Sequence, residues 1–208
     1  SNVNCLFNAE QMGEGWSDWF GMVMTIEPGD TRTDLRGVGT YALNQPTNGV
    51  GIRPAPYSTS FAVNNYTYAN TNSGVSQPHG IGFVWCTMLW EMTWDLIDQY
   101  GFDPDLYNGT GGNNIAMQLV VDGLKLTACN PGFVDGRNAI LQDDQIRYGG
   151  ANQNLIWAAL YNAVAVPMAL VGWMPPWLAG LGMACSSFLV IANALRLGLS
   201  DEAFLAGL

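Results

Sequence analysis

Glu10, Glu14 and Asp18 recur at steps of four in the stretch "NAEQMGEGWSDWFGM". That spacing places three carboxylates on one face of a helix. A row of acids on a helix is ordinarily a face turned to water. Two glycines, Gly13 and Gly15, flank Glu14, and each costs about 1 kcal/mol relative to alanine inside a helix. Glycine in such a place lets another group approach closely. A Glu and an Asp one turn apart, wedged among Gly and Trp, therefore point to part of a metal site. Such a site normally draws on histidines as well, yet the chain holds one histidine, His79, far downstream.

The elements that must position these residues follow from periodicity. Residues 8–26 read as a helix with Asn8 as its N-cap and Gln11 completing a capping box. Residues 28–78 are rich in Gly, Pro, Asn, Thr and Tyr, and predict a long loop with short strands near 37–43 and 61–68. A loop of that length in a compact domain often carries function. Residues 79–99 form a largely apolar helix that begins at His79, and 113–127 form another. "CNPGFVDGR" reads as a loop, and "NAILQDDQIRYGG" as a last helix stopped by Gly149-Gly150.

The 208 residues carry a formal net charge of −10, with seven scattered basic residues, which excludes a nucleic-acid partner. Residues 1–153 hold fifteen acids and six bases, whereas 154–199 hold Arg196 and no other charge. Leu155–Trp173 and Trp177–Leu195 are uncharged 19-residue stretches joined through Pro175-Pro176, each near the roughly 20 residues that span a bilayer. Trp157, Trp173 and Trp177 suit interface positions, so membrane association through 155–195 is expected. None of the four cysteines forms a CxxC pair; Cys86 and Cys185 read as buried thiols, and Cys5 and Cys129 could pair in an oxidising compartment. The opening Ser-Asn-Val-Asn reads as the interior of a longer protein.

The blocks "SNVNCLFNAEQMGEGWSDWFG", "GIRPAPYST", "HGIGFVWCTMLWEMTWDLID", "GNNIAMQLVVDGLKLTACNPGFVDGRNAIL" and "YGGANQ" make residues 1–153 resemble the fungalysin family of secreted zinc metalloendopeptidases. The catalytic domain of that family is thermolysin-like. The resemblance implies a mainly α fold: a helical subdomain with a long irregular loop and short strands, followed here by a hydrophobic helical hairpin over 154–199 and a tail over 200–208. It implies a peptide or protein substrate, an extracellular setting and Zn2+ in the intact parent. By resemblance Glu14 is the third zinc ligand, Asp18 orients a ligating histidine, His79 stabilises the oxyanion and Tyr57 lines the substrate cleft. No Asp or Glu lies between Asp34 and Glu91, so an Asn or a backbone carbonyl is expected to orient His79. The family's HExxH helix, which supplies two histidine ligands and the general-base Glu, is not in this sequence. The chain alone is therefore expected neither to hold catalytic zinc nor to hydrolyse peptides.

Residues 154–199 resemble the last two transmembrane helices of a copper-transporting P-type ATPase. The resemblance rests on Tyr161-Asn162 and on Met183-Ala-Cys-Ser186-Ser187, with Met183 and Ser187 on one helix face. It implies a Cu(I) path through Tyr161, Asn162, Met183 and Ser187. Two unrelated families then meet near "NQNLIWAA". A fragment of such a transporter and a non-enzymatic membrane-anchored helical domain stand as the alternatives to a protease fragment.

Overall fold

A computed structural model describes residues 5–160, all within one unit spanning Ser1–Val164. Four helices make up most of it: α1 (Gly13–Val23), α2 (His79–Tyr100), α3 (Gly112–Leu126) and α4 (Phe133–Tyr148). The Tyr161, Asn162, Met183 and Ser187 set lies outside the described residues, as does most of the expected hairpin. Among the described residues no helix is long and apolar enough to cross a membrane.

The core is built around α2. Its side chains from Gly80 to Trp90 are all buried, because α1, α3 and the loop before it cover it on several sides. Trp19 of α1 ties in by donating its indole N–H to Thr93 Oγ1 at 2.9 Å, and the Thr93 hydroxyl in turn donates a hydrogen bond to Leu89 O. The strip of apolar residues on α3 (Ala116, Leu119, Val120) and on α4 (Phe133, Ile140) closes the other side. Residues 153–160 are helical and bury Ile156, Ala159 and Leu160 in the same core.

Two helix starts differ from the sequence reading. α1 begins at Gly13, not near Asn8, because the preceding residues serve as a strap laid over the segment before α4. Asn8 donates to Pro131 O at 2.8 Å, Leu6 N–H to Cys129 O at 3.0 Å, and a Cys5–Cys129 disulfide fastens the crossing. α4 begins at Phe133, inside the expected loop, because carboxylates satisfy its first amides. Phe133 N–H donates to Glu10 at 2.6 Å, and Gly132 N–H to Asp135 at 2.9 Å. Glu10 thus leaves the acidic row and serves another helix, while its second oxygen accepts from Tyr68 Oη. The expected stop holds: α4 ends at Gly149, which takes the left-handed conformation.

The short strands expected near 37–43 and 61–68 do not form among the described residues. The loop makes two isolated bridges instead, Arg36 with Tyr57 and Val38 with Gly51. Positive φ at Gly39, Asn44 and Gly51 interrupts an extended run, and Tyr41–Leu43 and Tyr68–Asn72 turn into short 3-10 helices. Arg32 straps this loop to α2, pairing with Glu91 at 3.4 Å, Asp95 at 2.9 Å and Asp98.

Candidate metal-ligand site

The site begins at a helix crossing. A Cβ on Gly15 would lie 2.1 Å from Gly82 O, and one on Gly82 would lie 2.6 Å from Gly15 N and 2.7 Å from Glu14 Cβ. Only a glycine on each side allows α1 and α2 to approach so closely. Of the two glycines flanking Glu14, Gly15 therefore explains the local cost in helix propensity. The crossing sets Glu14, in the first turn of α1, beside His79, the first residue of α2.

His79 Nδ1 lies 3.2 Å from Glu14 Oε2. The acid beside His79 is therefore Glu14 itself, rather than an Asn or a carbonyl. That partner lies on a helix far upstream in the chain, brought to His79 by the crossing. With Nδ1 turned to Glu14, the ring's other nitrogen faces the opposite way, and the side chain is 61% exposed.

The second finding is Arg53, from the block "GIRPAPYST". Its guanidinium is nearly buried and bridges both acids of α1. Nε donates to Asp18 Oδ2 at 2.6 Å, and Nη2 donates to Asp18 Oδ1 at 2.8 Å and to Glu14 Oε2 at 2.9 Å. The fork geometry suits a planar guanidinium gripping one carboxylate with two bonds. The Arg53 hydrogen bond is the main reason the Glu14 carboxyl is held below its usual range, with burial opposing and His79 assisting. Glu14 is ionised at neutral pH and its side chain is 36% exposed.

Asp18 sits deeper, with its side chain 5% exposed. Tyr57 completes its shell by donating its hydroxyl to Oδ2 at 2.6 Å. Tyr57 is wholly buried and packs on Phe83 at 5.0 Å between ring centres. Burial pushes its hydroxyl pKa well up, with the Cys86 thiol and Asp18 adding to the effect. Its hydroxyl serves Asp18 rather than an open cleft. The opening beside Asp18 is a recess of about 310 Å3 lined by Ser17, Gly21, Met22, Arg36 and Val38.

A catalytic zinc wants three protein ligands and an open position. Glu14 fits one of those places: an ionised, partly open carboxylate whose orientation is fixed from one side. Among the described residues no three of His, Cys, Asp and Glu come together in a group able to hold a metal. The sequence has a single histidine, so two histidine ligands are not among its 208 residues. Sequence reasoning brought out Glu14, Asp18 and His79, and the structure gathers all three. It missed Arg53 and Gly82, though two carboxylates on a helix face that must pack against a neighbour already call for a cation.

The chain matches the fungalysin metallopeptidase (M36) family over residues 1–162. It is 45% identical over 167 residues to the extracellular metalloproteinase MEP of Neosartorya fischeri, covering 76% of this chain and 26% of that protein. The extracellular metalloproteinase mep of Aspergillus niger is 46% identical over 166 residues, covering 75% and 25%. Extracellular metalloproteinase 2 of Arthroderma gypseum is 43% identical over 161 residues, covering 74% and 25%. The chain spans about a quarter of the length of these relatives. The match runs through the glycine-flanked Glu14, the Arg53 loop and the His79 helix, and this chain belongs to the fungalysin metallopeptidase family.

Proposed function

We propose that this chain carries the glutamate side of the zinc centre of a secreted metalloendopeptidase acting on peptide bonds. The observation that supports this most is the Glu14 carboxylate, ionised and oriented by Arg53 at 2.9 Å with His79 at 3.2 Å. Glu14 would be one metal ligand. In the intact parent, the metal would supply a polarised water for attack on the peptide carbonyl.

The chain's own residues do the positioning. Arg53 takes both oxygens of Asp18, and Tyr57 adds a third bond, so Asp18 is held in place as an acceptor with a lone pair left for a histidine N–H. That suits the orienting role. His79, steadied through Nδ1–H by Glu14, turns its other nitrogen to the open side, and in the imidazolium form that nitrogen would donate to negative charge developing on the substrate oxygen. The low overall exposure of Arg53 and Asp18 keeps water from competing for these bonds.

These 208 residues alone lack two histidine ligands and the general base, so the isolated chain is inactive and does not hold stoichiometric zinc. Elemental analysis after dialysis is expected to find less than about 0.1 zinc per chain. A longer chain that includes the HExxH helix is expected to hold one zinc, and Glu14→Ala in that longer chain to lose it. Stoichiometric zinc in the 208-residue chain, or full zinc in the Glu14→Ala longer chain, would overturn the assignment.

A further inference from the structure

Arg32, Arg36, Arg53 and Arg147 each hold at least one carboxylate. Arg137, on α4, is the one arginine among the described residues with no carboxylate partner. Its Nε and Nη2 both donate to the neutral Asn138 Oδ1, at 3.2 and 3.0 Å. Its guanidinium lies 4.3 Å from the centre of the Trp157 ring. Burial alone lowers its pKa, and an arginine so placed keeps its charge. In a chain of net charge −10, a part-buried cation left without an acid is the exception.

The same arginine stands at the edge of an apolar groove of about 220 Å3, walled by Tyr68, Met88, Phe133, Val134 and Leu160 besides Trp157. Met88, Phe133 and Leu160 form its buried floor, while Val134 at 52% and Trp157 at 39% exposure form an open lip. The volume is below that of a drug-sized pocket and suits one side-chain-sized apolar group. Guanidinium donors beside such a floor fit a ligand with an anionic, planar head next to an apolar body.

We propose that the groove between α4 and residues 157–160 binds an apolar carboxylate, with Arg137 gripping the carboxylate and the Phe133, Met88 and Leu160 floor taking the apolar group. Two sources carry that chemistry: the C-terminal residue of an apolar peptide, and a short fatty acid. The groove is separate from Glu14, Asp18 and His79 and does not depend on their role.

The 208-residue chain is titrated with N-acetyl-leucine, N-acetyl-leucinamide and octanoate, following the indole N–H signals by NMR with Trp157 assigned through Trp157→Phe. At least one of the two carboxylates is expected to saturate the Trp157 signal, and the tighter of them identifies the source. The amide is expected to bind at least about tenfold more weakly than N-acetyl-leucine or octanoate, whichever is tighter, because a charge-assisted pair is lost. Arg137→Gln is expected to weaken the carboxylate by about tenfold or more, by the same reasoning. Val134→Asp, at an exposed lip position that folding tolerates, is expected to weaken it similarly by placing a like charge at the groove. Equal binding of acid and amide, or unchanged affinity in both variants with unchanged circular dichroism, would overturn the proposal. So would a concentration-dependent dimer that shields Trp157 and is not displaced by the carboxylates.

Discussion

Glu91→Gln is expected to stabilise the chain at neutral pH and to flatten its stability against pH. Glu91 stands on α2 within reach of Arg32 at 3.4 Å, the longest of the three contacts that strap the loop. Burial pushes its carboxyl up from 4.5 to about 7, with Asp95 adding to the rise and Arg32 opposing it. A raised carboxyl pKa means that the folded state holds the proton more tightly than the unfolded state. The stability tied to Glu91 is therefore fully present below about pH 4.5 and is lost as pH rises to about 7. The span of about 2.5 pH units sets an upper bound of ~3.4 kcal/mol at ~1.36 kcal/mol per unit. The side chain is 33% exposed, so solvent screening reduces the expected figure to about 1–2 kcal/mol. Glutamine keeps the shape and an acceptor for Arg32, which retains Asp95 and Asp98. Urea unfolding followed by tryptophan fluorescence at pH 5 and pH 8 measures the effect as the difference between variant and parent. The variant is expected to gain about 1–2 kcal/mol over the parent on going from pH 5 to pH 8. A constant difference between the two pH values would refute the assignment of a half-buried, proton-holding Glu91.

Two further substitutions probe the site's foundations. Gly15→Ala drives a methyl to 2.1 Å from Gly82 O and is expected to destabilise by roughly 1–3 kcal/mol, whereas Gly21→Ala in the same helix meets nothing within 4 Å and is expected to be neutral or stabilising by up to about 1 kcal/mol. Equal effects in thermal unfolding would remove the glycine crossing as the reason for the Glu14 position. Arg53→Met leaves Asp18 buried without its cation and is expected to cost about 3–5 kcal/mol in urea unfolding, with Asp18→Asn in the same background recovering much of it. A loss below about 1 kcal/mol, or no recovery, would show that the pair is not the unit described.

What the sequence made legible was local. The apolar run from Gly80 to Ile97 specified α2 almost to the residue, and the four-residue step from Glu14 to Asp18 put both acids on one face. The contacts that complete the picture join residues far apart in the chain, where periodicity carries no information. Asn8 is a good N-cap by type, but Pro131 claims its amide, so α1 starts later. Asp135 and Glu10 cap α4 from within and from the strap, so α4 starts earlier than its own composition indicates. The strand expected near 37–43 gives way to left-handed turns at Gly39 and Asn44, and the one near 61–68 to a turn in which Val63 and Asn64 both donate to Ser60 O. The Cys5–Cys129 pairing was open because connectivity depends on the fold.

The arginines bring these strands of reasoning together. In a chain dominated by acids, three of the four arginines paired with a carboxylate hold two distant segments in register: Arg32 the loop on α2, Arg147 α4 on α3 through Asp122, and Arg53 the loop on α1. Arg53 differs from the other two in where it sits. It holds two carboxylates on one buried guanidinium, and one of them, Glu14, is left partly open with His79 Nδ1 at the same oxygen. A carboxylate oriented from one side and left partly open beside a glycine-thinned helix crossing suits a cation. Arg137 is the opposite case, a guanidinium without a carboxylate beside an apolar surface. Burial and pairing together thus set Arg53 and Arg137 apart from Arg32 and Arg147, the exposed clamps that hold the fold.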